Sequence, residues 1–306
     1  MSEPLIRLRG LEKRYGRKVA LTGIDLEVDE RQILGVVGPD GGGKTTFLRA
    51  LAGLLDVTAA EARVLGYDLL GDVTELKAHI GYVPQSFGLH RELSVEENLR
   101  FTARLMRLPE AEFVRRRDDL LGRTGLARFA ARPVGALSGG MKQKLAIANA
   151  LLPAPRLMIL DEPTAGVDVL ARKEIWGLLE RARRDALVVI STSYLDEAAA
   201  CDRLLYLDHG RVVALGTPAE LQERAAGRAE AYRAWGEDPR AIARAARALP
   251  YVSGARATGG FARVAVRRAD APGVERVRRD LAESGVHFVE PEPLDLDVAL
   301  VALASA

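Results

Sequence analysis

Apolar and polar positions along this chain follow several distinct patterns. Near the start, Ile6-Arg-Leu-Arg alternates and so does Leu26-Glu-Val, the two-residue period of half-buried strands. Ile33-Leu-Gly-Val-Val is unbroken apolar and runs into a glycine-rich turn, as a strand covered on both faces would. Residues 45–54 then continue as an apolar helix. From about 94 to 152 the spacing is mostly helical. Ser94-Val-Glu-Glu97 has capping-box spacing, and Leu99, Met106 and Leu120 recur among many arginines. Leu157-Met-Ile-Leu160 and Ala186-Leu-Val-Val-Ile190 repeat the buried-strand signature. Such strands alternating with helices predict an α/β fold built on a mixed or parallel sheet.

The pattern changes after about residue 222, where Ala and Arg become dense. Ala229–Trp235 reads as a strand and Pro239–Leu249 as a helix. Val252–Ala257 and Phe261–Arg267 flank Thr258-Gly-Gly, a hairpin signal. Val274–Glu283 reads as a helix and Val286–Val289 as a strand, with a last amphipathic segment at Leu294–Leu303. That order, βαββαβ, predicts a small ferredoxin-like α+β appendix over 223–306, behind a larger domain over 4–222. No internal repeat is visible.

Composition narrows the class. The 306 residues carry 44 Lys+Arg against 42 Asp+Glu, with 48% apolar residues, a balance that argues against disorder. A net charge of +2 gives no strong electrostatic case for nucleic acid, and none is expected as a partner. The bases are overwhelmingly Arg. The single cysteine, Cys201, excludes an intramolecular disulfide framework and fits a reducing compartment. No run approaches the ~18 apolar residues of a membrane span, and the first residues lack the regions of a secretory signal. The expectation is a soluble, cytoplasmic chain whose membrane spans, if it works at a membrane, belong to other chains.

Two segments carry chemistry. Gly38-Pro39-Asp40-Gly41-Gly42-Gly43-Lys44-Thr45-Thr46 satisfies the P-loop pattern, between a buried strand and an apolar helix. Its glycines let backbone N–H groups curl around phosphates at the positive end of the helix. Lys44 would reach the β- and γ-phosphates of a nucleotide, and Thr45 would ligate Mg²⁺. The second segment, Leu157–Glu162, is an apolar strand ending in adjacent carboxylates. Asp161 would hold Mg²⁺, and Glu162 would orient or deprotonate an attacking water.

Leu137-Ser138-Gly139-Gly140-Met141, just before that strand, matches the signature motif of ATP-binding cassette (ABC) ATPases. Over residues 4 to about 220 the chain resembles that family, most clearly its daunorubicin- and multidrug-resistance exporter class. Its pattern is similar to the first cassette of tandem-cassette efflux proteins. The resemblance implies a P-loop NTPase cassette with a mixed sheet core, an antiparallel β subdomain and a helical subdomain at about 94–152. It implies ATP and Mg²⁺ as ligands, and hydrolysis coupled to transport. In it, Leu137–Gly140 bind the γ-phosphate held by a second cassette, so that ATP joins two cassettes head to tail. Gln85 becomes the Q-loop residue that senses Mg²⁺ and couples to integral-membrane permease subunits. Asp168 stands in the D-loop, and Tyr15 stands where an aromatic stacks on adenine, although core packing is its competing reading. The chain would sit on the cytoplasmic face of the inner membrane, held there by the permease.

Two positions depart from the family. Where the pattern has Ser-Thr-His, this chain reads Ser191-Thr192-Ser193, so Ser193 stands at the place of the switch histidine. A hydroxyl is shorter than imidazole and cannot become cationic. Ser193 also fits as a helix cap, with Asp196 three residues on. Asp40 replaces the usual Asn or Ser, and a carboxylate beside triphosphate is unfavourable unless it points away or pairs with a cation. A partly degenerate cassette that binds ATP while a sister cassette hydrolyses it is therefore a second reading. A non-transport ATPase acting on ribosomes or DNA is a third.

Overall fold

A computed structural model describes residues 3–270 and 272–304. Two long strands, β1 (Ile6–Tyr15) and β2 (Lys18–Val28), open the chain, followed by β3 (Ile33–Val37) and helix α1 (Lys44–Leu51). Short strands β4 (Glu61–Val64) and β5 (Tyr67–Asp68), the single turn α2 (Thr74–Lys77) and β6 (Ile80–Val83) come next. Then follow the helices α3 (Val95–Leu105), α4 (Glu110–Thr124) and α5 (Gly139–Leu151). The chain returns through β7 (Leu157–Asp161), α6 (Val169–Ala182), β8 (Leu187–Ser191), α7 (Leu195–Ala199), β9 (Arg203–Asp208), β10 (Arg211–Gly216) and α8 (Pro218–Ala226).

Residues group into two compact units. The first runs to Tyr194 and includes Cys201–Arg203 and Leu207–Val212; the second holds Leu195–Ala200, Leu204–Tyr206 and the chain from Val213 onward.

In the first unit β3, β8, β7 and β6 lie side by side, all parallel. Every residue of β3, β7 and β8 is buried, which is why those segments read as unbroken apolar runs. Parallel register aligns the strands' C-terminal ends, so that Asp161 sits directly opposite Ser191. A separate antiparallel sheet, β2-β1-β4-β5, is half-buried, and Ile6, Leu8 and Leu11 supply its inner face. The expected helical stretch resolves into α3, α4 and α5 around Val95, Leu99, Phe113, Leu120, Leu145 and Leu152. Its capping box is present: Glu97 N–H donates to Ser94 Oγ at 3.2 Å, and Ser94 N–H donates to Glu97 Oε2 at 2.8 Å. Such a cap stabilises a helix start by about 1 kcal/mol. The Ser94 N–H bond also holds the Glu97 carboxyl below its ordinary pKa.

In the second unit the chain continues through β11 (Ala229–Gly236), α9 (Pro239–Arg247), β12 (Val252–Thr258), β13 (Phe261–Arg267), α10 (Gly273–Asp280), β14 (Val286–Glu292) and α11 (Leu296–Ala304). The four strands order as β12-β13-β11-β14, all antiparallel, which is the split βαβ arrangement. Tyr232, Ala234 and Val264 meet Ile242, Ala246 and Val277 of α9 and α10 on one face. Asp238 caps α9 ahead of Pro239 by accepting from the N–H groups of Arg240 and Ala241. The final segment forms the helix α11. Leu296, Val298, Ala299, Leu300, Ala302 and Leu303 are all buried, because α11 packs between α8 and the other face of this sheet.

Candidate active site

The glycine-rich turn after β3 owes its path to close backbone approach. Gly38 (φ 147°) lies against the Leu207 carbonyl, which a Cβ would strike. Gly43 (φ 109°) has room only for hydrogen, with the Ala20 carbonyl 3.0 Å from where its Cβ would be. The turn closes through Gly42 N–H to Pro39 O at 3.0 Å and Gly210 N–H to Gly42 O at 2.9 Å. It then delivers Lys44 to the first turn of α1. The Lys44 side chain is 7% exposed, and its Nζ donates to Gly38 O at 2.9 Å and Pro39 O at 3.0 Å. Those carbonyls hold the ammonium in the mouth of the loop. Asp40 satisfies both conditions set for it. Its carboxylate is fully exposed, and one oxygen stands 4.0 Å from Lys44 Nζ.

Thr45, one residue into α1, faces the end of β7. Its Oγ1 donates to Asp161 Oδ1 at 3.2 Å, and Ser191 Oγ donates to the same oxygen at 2.7 Å. Ser191 Oγ also accepts from Glu162 N–H at 2.9 Å. Glu162 has φ 49°, a left-handed conformation uncommon outside glycine. The Ser191 bond holds that turn and sends the next carboxylate out of the core. Burial pushes the Glu162 pKa up; Lys44 opposes this, while Asp161 and Asp40 add to it. Ser191 was not singled out from sequence, because a serine ending an apolar strand signals nothing until the β7–β8 register is known.

A cavity of about 580 Å³ gathers Tyr15, Asp40, Gly41, Gly43, Lys44, Thr45, Thr46, Gln85 and Glu162, with Lys18–Ala20, His209 and Gly210 completing its wall. Gly38, Pro39 and Gly42 belong to the same turn without lining the cavity, and Asp161 lies one hydrogen bond behind Thr45. Tyr15 is 46% exposed, with Lys13 Nζ 5.3 Å from its ring centroid, so core packing does not describe it. Its open ring face suits stacking on a planar base.

Leu137–Gly140, Asp168 and Ser193 lie outside the cavity lining. Ser138 caps α5 by accepting from Met141 N–H at 3.3 Å, and Ser138 and Gly139 are exposed at that helix start while Gly140 is buried. Asp168 caps α6, accepting from Ala171 N–H at 2.9 Å. A Cβ on Gly140 would stand 2.8 Å from Ala171 Cβ, so glycine there lets the starts of α5 and α6 touch. Ser193 is not a helix cap: α7 begins at Leu195, and the turn before it is closed by Tyr194 N–H donating to Thr192 Oγ1 at 3.0 Å. Ser193 itself is exposed, and its hydroxyl bonds to no described residue. The guanidinium of Arg172 covers the next ring, Tyr194, at 3.9 Å.

The donor set of Thr45, Asp161 and Gln85 is all oxygen, which suits a hard cation such as Mg²⁺. Among the described residues no three His, Cys, Asp or Glu side chains form a self-sufficient metal site.

Residues 21–165 match the family model for the ABC transporter. Over 304 residues the chain is 36% identical to the probable multidrug ABC transporter ATP-binding protein YbhF of Escherichia coli, covering 98% of this chain and 53% of that protein. It is 38% identical over 229 residues to the daunorubicin resistance ATP-binding protein DrrA3 of Streptomyces coeruleorubidus, covering 74% of this chain and 72% of that one. Among solved structures, an ATP-binding subunit of an ABC transporter superposes with TM-score 0.67 at 31% identity, over 72% of this chain and 92% of that one. A dimeric post-hydrolysis state of the cassette MJ0796, bound to ADP and Pi, gives TM-score 0.64 at 27% identity, over 69% of this chain and 98% of that one. The chain belongs to the family of ABC transporter ATP-binding proteins. It spans about half the length of its E. coli relative.

Proposed function

We propose that this chain binds ATP with Mg²⁺, hydrolyses it, and powers an exporter of drugs, lipids or other amphiphiles through membrane permease subunits. One observation carries the reading: Thr45 and Ser191 converge on one oxygen of Asp161 beside the Lys44 loop, with Glu162 lining the same cavity. Lys44 would leave the Gly38 and Pro39 carbonyls for the β- and γ-phosphates, a short move for a flexible stem. Tyr15 would stack on adenine. Thr45, Asp161 and Gln85 would hold Mg²⁺, which neutralises charge building on the transferred phosphoryl group. Glu162 would accept a proton from the attacking water, its raised pKa making it a stronger base than an exposed glutamate.

The exposed Ser138 and Gly139 at the start of α5 support action on the nucleotide of a second cassette. Leu137–Gly140 are absent from the cavity lining, yet the exposed Ser138 and Gly139 open a helix N-terminus, a position suited to an anion. Asp168 lies on the same surface. Two cassettes would close on ATP and reopen after hydrolysis, docked at the cytoplasmic face of the membrane. No described helix is long and apolar enough to cross it. The relatives named for multidrug and daunorubicin resistance support export as the direction.

Ser193 favours a second reading of the same site, a cassette that binds ATP well and hydrolyses it slowly. Sedimentation of the Glu162→Gln chain with and without ATP tests the shared step. ATP-dependent dimerisation, abolished by Ser138→Arg, is the expected result. A species that stays monomeric at saturating ATP, in the presence of the permease as well, would overturn the head-to-tail closure.

A further inference from the structure

A second cavity, of about 320 Å³, lies within the first unit at the other end of the parallel strands from the Lys44 loop. Pro155 and Arg156 line it just before β7 begins, and Asp185 and Ala186 just before β8. Nucleotides bind α/β sheets at the carboxyl ends of strands, so this cavity is no extension of the first. Its remaining walls come from α4, the end of α5 and α6. Leu120, Leu151, Pro155 and Leu178 give it an apolar floor, and five arginines line it against two aspartates.

Those arginines are held in differing degrees. Arg116 is fixed, with Nε 2.6 Å from Glu112 Oε1 and Nη1 donating to Leu152 O at 2.9 Å. Arg115 also pairs with Glu112, at 2.7 Å. Arg123 commits only its Nε, to Asp119 at 2.8 Å. Arg156 is clamped by its main chain, its N–H donating to His79 O at 2.9 Å and its carbonyl accepting from Leu187 N–H at 3.0 Å. Neither the Arg156 nor the Arg181 guanidinium has a side-chain hydrogen bond or ion pair among the described residues. Arg156 and Arg181 are both exposed and line the same cavity, and a guanidinium fork matches the geometry of a phosphate. An oxyanion taking both would make charge-assisted hydrogen bonds that no described side chain makes to them.

We propose that this cavity is a binding site for a phosphate-bearing ligand with an apolar body. Its phosphate would lie on Arg156 and Arg181, within reach of Arg123. Its body would lie on Leu120, Leu151, Pro155 and Leu178. A ligand there bridges α4 and α6 and touches the last turn of α5, the helix whose first turn carries Ser138–Gly140. Occupancy therefore bears on how the helical layer is held against the sheet. A soluble phosphate ester and a phospholipid headgroup share this chemistry.

The test titrates phenyl phosphate into the full chain by calorimetry, with the Lys44 loop saturated by ADP and Mg²⁺. The expected result is one further saturable site per chain, weakened about tenfold or more by Arg156→Gln with Arg181→Gln. ADP affinity should be unchanged in that double variant, which also reports that it is folded. Cosedimentation with phosphatidylcholine vesicles, with and without phosphatidic acid, separates the sources. Retention that depends on phosphatidic acid and on both arginines assigns a lipid headgroup; phenyl phosphate binding without retention assigns a soluble ester. Absence of saturable phenyl phosphate binding, or binding undiminished in the double variant, overturns the proposal.

Discussion

Ser191 Oγ stands 2.7 Å from Asp161 Oδ1, completely buried, and the two residues are direct partners across β7 and β8. The same hydroxyl accepts from Glu162 N–H. One side chain therefore orients the carboxylate proposed for Mg²⁺ and fixes the turn that aims the proposed base. Groups that orient a metal ligand commonly affect metal affinity by 10–100-fold. Ser191→Ala is expected to raise the Mg²⁺ concentration for half-maximal ATP hydrolysis by about tenfold. Ser191→Thr, which keeps the hydroxyl, should recover part of that loss. A Mg²⁺ titration of turnover checks both.

Glu162 gives a pH prediction with a definite sign. Burial and neighbouring carboxylates raise its pKa in the folded chain above the ordinary 4.5, although Lys44 opposes them. Its ionised form is needed to accept a proton, so the acid limb of turnover should lie above the range of an exposed glutamate. Asp40→Asn removes one raising charge and should move that limb to lower pH. The fold favours protonated Glu162, so its contribution to stability is present at low pH and is lost as pH rises through the folded value. Glu162→Gln, uncharged throughout, should melt higher than the parent at neutral pH. Thermal melts across pH measure this.

Tyr15 separates stacking from bulk. Tyr15→Ala should weaken ATP binding by about 1–3 kcal/mol, the range for a base on an aromatic ring, whereas Tyr15→Trp should retain it. Equilibrium binding of a fluorescent ATP analogue distinguishes the two.

The P-loop, the paired carboxylates and the signature segment were legible because each is a contiguous pattern whose chemistry demands neighbouring residues. So was the capping box at Ser94, whose partner is three positions away. Ser191 was hidden because its meaning is a register, set only when two strands pair. His209 and Gly210 reach the cavity from the β9–β10 turn and Lys18–Ala20 from the start of β2, none of them bearing a local signature. The partners of α11, which are α8 and the strands of its sheet, are remote from it in sequence. The abundant arginines are partly explained by the helical layer. Arg100 and Arg117 lie over the Phe113 ring at 4.5 and 5.6 Å and pair with Glu96. Half-buried pairs of this kind near a surface contribute modestly each.

Ser193 bears on rate. Its hydroxyl is exposed and reaches no described partner, and a serine extends too little to replace a longer, ionisable imidazole. Ser193→His is expected to raise steady-state turnover roughly tenfold in the assembled transporter, with ATP affinity little changed. An unchanged or lower rate would mean that Ser193 is not what limits hydrolysis.

The most direct test of the central claim is release of labelled phosphate from ATP by the purified chain, compared with its Glu162→Gln variant at equal nucleotide occupancy. Mg²⁺-dependent turnover by the parent is expected, falling by about 100-fold or more in the variant while ATP stays bound. Hydrolysis undiminished by Glu162→Gln would contradict the assignment of this cavity as the catalytic site.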